Sequence, residues 1–149
     1  MLKLACPKCH KPLSICGNSY KCEDGHCYDI AKSKYINLLL NPDKSTNNPG
    51  DNKESLLCRK AHLNAGYYDC ILNNVVECIK EFKNSETMHI LDLGCGEGGY
   101  SRELAKRGAR LVSVDCSTKA IEYATYLAKE ENLQIEHFVR NSNDLFDIE

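Results

Sequence analysis

Apolar positions set the architecture of the second half of the chain. Leu56, Leu57, Ala61 and Leu63, then Ile71, Leu72, Val75, Val76 and Ile79, recur at helical spacing, so helices are expected from Ser55 to about Phe82 with a break near Gly66. Met88 to Leu93 is a short apolar run that reads as a buried strand, and it leads into Gly94-Cys95-Gly96-Glu97-Gly98-Gly99. A helix comes next, roughly Gly99 to Arg107, stopped by Gly108. Arg110 to Asp115 reads as a second strand. Ser117 is a good N-cap for a helix with Ala120, Ile121, Ala124, Leu127 and Ala128 along one face, and Gln134 to Val139 is a third strand. Strands alternating with helices predict a parallel α/β sheet.

The first forty residues show no such period. Cysteines crowd there, and residues 31–40 form a short apolar element that would pack this unit onto the rest of the chain. Pro42, Asn47, Asn48, Pro49, Gly50 and Asp51 mark a linker. The expected organisation is a small module over 1–40, a linker over 41–54, and a Rossmann-like domain over 55–149 carrying the first three strands of its sheet.

Composition narrows the class without deciding it. The chain has 149 residues, enough for one ordinary domain or a module plus part of a larger one, and its 27% charged content suits a soluble globular protein. No apolar run reaches the length of a membrane span, and a signal peptide's long apolar region is absent from the first residues. A net charge of −2 gives no global attraction to nucleic acid, so an RNA partner would need local basic patches. Lys3, Lys8, Lys11, Lys21, Lys32 and Lys34, interleaved with Tyr20, Tyr28 and Tyr35, offer one. An ordinary solvated lysine surface explains the same residues. Ten cysteines suggest disulfides, but Cys6, Cys9, Cys16, Cys22 and Cys27 lie within the first thirty residues, a lopsided pattern that points to metal. Cys58, Cys70, Cys78, Cys95 and Cys116 are scattered, and most are expected to be small buried apolar groups.

Cys6-Pro-Lys-Cys9 is a C-x2-C knuckle, and Cys22-Glu-Asp-Gly-His26 supplies a second pair after a twelve-residue spacer. Three thiolates and an imidazole make a closed tetrahedral zinc site, and metal would give so short a segment the stability its core cannot. On spacing, His26 is modestly preferred to Cys27 as the fourth ligand, and Cys16, mid-spacer, is poorer. Four ligands in one compact segment argue for a structural zinc.

The glycine-rich turn is the place for a nucleotide-like ligand, because glycines allow close approach and a helix start presents unpaired N–H groups. Gly94, Gly96 and Gly99 also satisfy the G-x-G-x-x-G pattern of dinucleotide sites, a weak signal alone. The acid in Leu91-Asp92-Leu93-Gly94-Cys95-Gly96-Glu97-Gly98 instead resembles the first motif of class I S-adenosylmethionine (SAM) methyltransferases, where the acid and glycines hold the amino acid end of SAM. Asp115, at the end of the second strand, is placed to bond ribose hydroxyls, and Asn141 to Asp144 to border an adenine.

Further motifs extend the likeness. Cys6-Pro-Lys-Cys9, Cys22…His26, Tyr28-Asp29-Ile30-Ala31-Lys32, Tyr35-Ile36-Asn37-Leu38-Leu39, Pro49-Gly50-Asp51 and Arg59…Leu63-Asn64-Ala65-Gly66-Tyr67-Tyr68 precede the glycine turn in one order. Together they resemble the amino-terminal half of the bacterial 23S rRNA guanine-N1 methyltransferases, nearly continuously to about Ser117. The resemblance implies zinc on Cys6, Cys9, Cys22 and His26, and SAM at the turn of Asp92, Gly94, Gly96, Glu97 and Gly98 with Tyr68 close by, alongside the Asp115 and Asn141 that the strand ends suggest. It also implies methyl transfer to guanine N1 in a hairpin region of 23S rRNA, a cytoplasmic setting, no membrane, and a homodimer as the candidate assembly. The catalytic group stays unassigned. Two departures stand out: Lys34 replaces the glycine such proteins carry before the tyrosine, and only three of seven expected sheet strands are present, as in a truncated enzyme. An inactive zinc-ribbon RNA-binding fragment and a small-molecule SAM methyltransferase are the rival expectations.

Overall fold

A computed structural model describes residues 4–40, 53–81 and 89–141. Within them the chain runs β1 (Ser14–Cys16), β2 (Ser19–Lys21), β3 (Cys27–Asp29), β4 (Ile36–Asn37), α1 (Lys53–Asn64), α2 (Asp69–Glu81), β5 (His89–Leu93), α3 (Gly99–Lys106), β6 (Arg110–Asp115), α4 (Thr118–Glu130) and β7 (Ile135–Val139). Strands β1, β2 and β3 form an antiparallel sheet in that order. The second sheet is parallel, in the order β4-β7-β6-β5.

The fourth strand in that sheet corrects the expected three. Residues Ile36 and Asn37 pair with Phe138 and Val139, so the segment leaving the small module is itself part of the main sheet. Two residues are too few to show an alternation, and only the partner strand reveals them. The helices fall close to expectation: the break near Gly66 separates α1 from α2, and Ser117 caps α4 by accepting from the Ala120 N–H. Helix α1 begins at Lys53, two residues inside the expected linker, whose residues 41–52 lie outside the described ones, as do Met88 and residues 142–144.

The alternation of β6 decides which layer lies where. Val112 and Val114, with Phe138 of β7, face the small module and pack with its Leu4, Cys6, Leu13 and Cys22. Leu111 faces the other way, into a cluster with Val76 of α2 and Leu104 of α3. Burying each large apolar side chain between these layers contributes about 1.5–3 kcal/mol. The small module is therefore one covering layer of the sheet. Helix α2 turns one stripe inward, burying Leu72 and Val76, while Ile71 and Val75 stay 47% and 38% exposed. Two apolar stripes were readable on this helix, but one meets the sheet. On β5, Leu91 and Leu93 share the face of Val112 and Val114, yet are 40% and 49% exposed, because among the described residues the module's cluster covers β6 and β7 and stops short of them.

The scattered cysteines do not behave as expected. Cys58, Cys70 and Cys78 are exposed and Cys95 and Cys116 are half-buried, because α1 and α2 turn only one face to the protein. None of the ten cysteines forms a disulfide.

Candidate metal centre and cofactor site

Two turns build the metal centre. The first closes where the His10 N–H donates to the Cys6 carbonyl at 2.8 Å, the second where the Gly25 N–H donates to the Cys22 carbonyl at 3.0 Å. They bring the ligand atoms of Cys6, Cys9, Cys22 and His26 within 4.8 Å of one another. His26 Nδ1 lies 3.3 Å from Cys22 Sγ and 3.6 Å from Cys6 Sγ, while Cys9 and Cys22 sulfurs are 3.6 Å apart. Cys27 points out of β3 and Cys16 out of β1, both exposed, which leaves the fourth position to His26. Lys11 bridges the two turns by an ion pair with Asp24.

The electrostatics of this cluster call for a cation. Burial works against ionising Cys6, but the Tyr28 hydroxyl at 3.3 Å and backbone hydrogen bonds outweigh it and bring the thiol down to about 6. Burial, with the neighbouring Cys6 and Cys22, pushes Cys9 up to about 12. Three thiolates this close are tolerable only around a dication, and three sulfurs with one imidazole are the donor set of a structural zinc. The same sulfurs belong to the core: Cys6 is fully buried and packs, with Cys22, into the cluster containing Val112, Val114 and Phe138. The module's tyrosines also turn inward. Tyr20 and Tyr28 pack against that cluster, and Tyr35 is buried with its hydroxyl donating to Glu122 at 3.4 Å.

The glycine-rich turn sits at the carboxyl ends of β5 and β6. Gly94, Gly96 and Gly98 take φ of 75°, 55° and 73°, left-handed values that a side chain would strain. Asp115 braces this loop from the next strand: its Oδ2 accepts from the Gly96 N–H at 2.9 Å and its Oδ1 from the Ser117 N–H at 2.8 Å. Each oxygen keeps a second lone pair for a ligand hydroxyl. Asp92 turns onto α3 instead, accepting from the Ser101 hydroxyl, which in turn receives the Ser113 hydroxyl at 2.7 Å. Burial holds its carboxyl above the usual range, against the pull of that Ser101 hydrogen bond.

Glu97 is the most confined member of the turn. Its side chain is 1% exposed, its carbonyl accepts from Arg102 Nη1 at 2.6 Å, and its Oε2 is buried without a hydrogen-bond partner among the described residues. A buried carboxylate oxygen with no donor is expensive unless a ligand supplies one. An ammonium group would. Arg102 itself is fixed by an ion pair to Glu131 at 3.0 Å, so it acts as a brace between α3 and α4.

Tyr68 lies 38% exposed on a cavity of about 300 Å³ that Gly99 also lines, with Leu63, Leu72 and Arg102. Gly96, Asp115 and Asn141 do not border that cavity. Asn141 comes directly after Arg140, whose N–H donates to the Asp115 carbonyl at 3.0 Å, which sets it beside the carboxyl end of β6. Reading the sequence missed Ser101, Ser113 and Arg102, and it named Tyr28 as a base-stacking candidate without its contact to Cys6. Ser113 alone carried a signal, as a polar residue inside the apolar run Leu111 to Val114.

Sequence comparisons agree with this geometry. Residues 4–46 match the family model described as "RlmA, N-terminal", a zinc ribbon, and residues 90–148 match "Methyltransferase domain". Two family models thus match in succession, one over the ribbon and one over the segment that carries the glycine turn. It is similar to the 23S rRNA (guanine(748)-N(1))-methyltransferase of Streptomyces fradiae, 29% identical over 98 residues, covering 65% of this chain and 34% of that one. It is also similar to the putative 23S rRNA (guanine-N(1)-)-methyltransferase YxjB of Bacillus subtilis (strain 168), 29% identical over 135 residues, covering 84% and 46%. The chain thus spans between a third and a half of the length of these relatives. Among solved structures, the PH0226 protein of Pyrococcus horikoshii OT3 matches 53% of this chain and 34% of its own length, at 28% identity and a TM-score of 0.46. Among the described residues no helix is long and apolar enough to cross a membrane.

Proposed function

We propose that the chain is the zinc-ribbon and cofactor-binding portion of a SAM-dependent methyltransferase that modifies guanine N1 in 23S rRNA. The observation that carries this reading is the continuity between its two parts. Strand β4, which leaves the ribbon, is hydrogen-bonded into the parallel sheet in which β5 and β6 end at the glycine turn. A nucleotide-type site and a ribbon of this kind in one rigid sheet suit an enzyme that holds RNA while it transfers a small group. The relatives named for rRNA guanine-N1 methylation support this choice of substrate. That substrate implies a cytoplasmic setting.

In this reading Zn²⁺ is held by Cys6, Cys9, Cys22 and His26 and keeps the ribbon folded. SAM meets the turn at Gly94, Gly96 and Gly98, with Glu97 Oε2 facing its ammonium, Asp115 its ribose, Asn141 bordering the adenine and Tyr68 nearby. Asp92 acts by fixing the start of α3 through Ser101. Bound SAM supplies an electrophilic methyl group on sulfur. The protein's part is position and orientation, which can supply several kcal/mol of a transfer barrier, about 7–11 at best. Guanine N1 carries a proton at neutral pH that must leave, and none of the described residues is assigned to take it.

Calorimetric titration of SAM into the zinc-loaded chain tests the reading. One-to-one binding that Glu97→Gln weakens, with salt-dependent binding of a 23S rRNA hairpin, is the expected result. A folded, zinc-loaded chain that binds neither SAM nor the hairpin overturns it.

A further inference from the structure

We propose that Arg59 binds the carboxylate of SAM, so that Arg59 and Glu97 together recognise the zwitterionic end of the cofactor. The inference rests on the SAM reading above and adds a residue from outside the glycine turn. Helix α1 is tied to α4, where Lys60 Nζ donates to the Tyr123 hydroxyl at 3.1 Å, and it meets the end of the turn, where Leu63 Cδ1 comes within 2.5 Å of where a Cβ on Gly99 would stand. One residue earlier on the helix, Arg59 Nη1 lies 3.3 Å from where a Cβ on Gly96 would stand. The guanidinium therefore lies against the open face of the turn, and Gly96 leaves it room.

Charge accounting around the turn singles out this pair. Of the acids, Asp92 accepts from Ser101, and Asp115 accepts from two backbone N–H groups; Glu97 Oε2 alone is buried and unpartnered among the described residues. Of the cations, Arg102 holds the Glu97 carbonyl and Glu131, and Lys60 is given to Tyr123. Arg59 carries five N–H donors in a planar fork, which can bond a carboxylate alongside other contacts. Ammonium against Glu97 and carboxylate against Arg59 would place both charged groups of an amino acid beside adjacent positions of one turn, Glu97 and Gly96. A cofactor lacking that zwitterion, such as a dinucleotide, leaves Glu97 unsatisfied.

The test is calorimetry on the zinc-loaded chain with three ligands: SAM, decarboxylated SAM and 5′-methylthioadenosine. The wild type is expected to bind SAM about 10-fold or more tightly than decarboxylated SAM, the worth of a charge-assisted hydrogen bond. Arg59→Gln is expected to weaken SAM by about the same factor and leave decarboxylated SAM and 5′-methylthioadenosine unchanged. Arg59→Lys, which keeps the charge but loses the fork, falls between. An Arg59→Gln protein of unchanged melting temperature that loses affinity for all three ligands equally overturns the inference, since Arg59 would then act through helix placement. Unchanged SAM affinity in that variant overturns it as well. A wild type that binds none of the three overturns the SAM reading itself and the inference with it.

Discussion

Arg140 Nη1 donates to the Ala5 carbonyl at 3.4 Å, and the residue after that carbonyl is the metal ligand Cys6. Arg140 is 2% exposed and its own N–H is bonded to Asp115, whose carboxylate braces the glycine turn. One buried side chain thus joins the backbone of the ribbon to the strand end that shapes the cofactor site. Because Cys6 and Cys22 also pack on Val112, Val114 and Phe138, removing zinc withdraws support from the part of the sheet face that β6 and β7 form. Structural zinc binding contributes about 10–16 kcal/mol in isolated zinc-finger peptides, more than a typical domain's net stability. Chelation is therefore expected to abolish the cooperative thermal transition of the entire chain. A stripped chain whose sheet melts unchanged, monitored by circular dichroism, would show the layers to be independent.

Tyr28 is expected to tune the metal. Its hydroxyl lies 3.3 Å from Cys6 Sγ, and once that sulfur is a thiolate on zinc the hydroxyl must be the donor. Tyr28→Phe removes the donor and preserves the ring that packs against the core. The loss of such an outer-shell partner typically weakens metal binding about 10–100-fold. Competition for zinc against a chromogenic chelator reads this directly, and equal affinities in the two proteins would exclude the role.

Lys34 carries backbone strain that a glycine would relieve. Its φ is 72°, and it sits in the turn that closes where the Lys34 N–H donates to the Ala31 carbonyl at 2.8 Å. A left-handed non-glycine residue costs on the order of 1 kcal/mol. Lys34→Gly is expected to raise the melting temperature by about 2–4 °C, the shift that 1 kcal/mol gives in a chain of this size. A lowered melting temperature would mean that the lysine side chain outweighs the strain.

The strand–helix alternation after residue 88, the cap at Ser117 and the paired cysteine spacing were all legible because each rests on local chemistry. A strand of apolar β residues, a hydroxyl before a helix and two closely spaced knuckles require no knowledge of the partner. The features that escaped were set by distant packing. Ile36 and Asn37 become a strand only because Phe138 and Val139 lie alongside, and Arg140 is buried only because the ribbon covers it. Cys58, Cys70 and Cys78 look like core residues by type and lie on the outer faces of α1 and α2. For the candidate cofactor site, order and spacing single out the glycines and Asp115, which the structure brings together at one turn, whereas the Asp92 carboxylate is engaged by Ser101 on α3.

Protonation of His137 is expected to set part of the acid sensitivity of the fold. The ring is 3% exposed on β7, its Nε2 has no partner among the described residues, and burial, with the nearby Arg102 charge, lowers it from 6.5 to about 4. The folded protein therefore keeps this histidine neutral where the unfolded chain already binds a proton. The stability from the neutral ring is fully present above pH 6.5 and is lost as pH falls toward 4. A shift of this size corresponds to roughly 3 kcal/mol across that window. Zinc release from the cysteines falls in the same range, so the informative quantity is the difference between two proteins. Urea unfolding of wild type and His137→Gln, each at pH 7.5 and pH 5, is expected to show a smaller acid loss in the variant, whatever its stability at neutral pH. Parallel losses in the two proteins would assign the acid sensitivity to the metal centre alone.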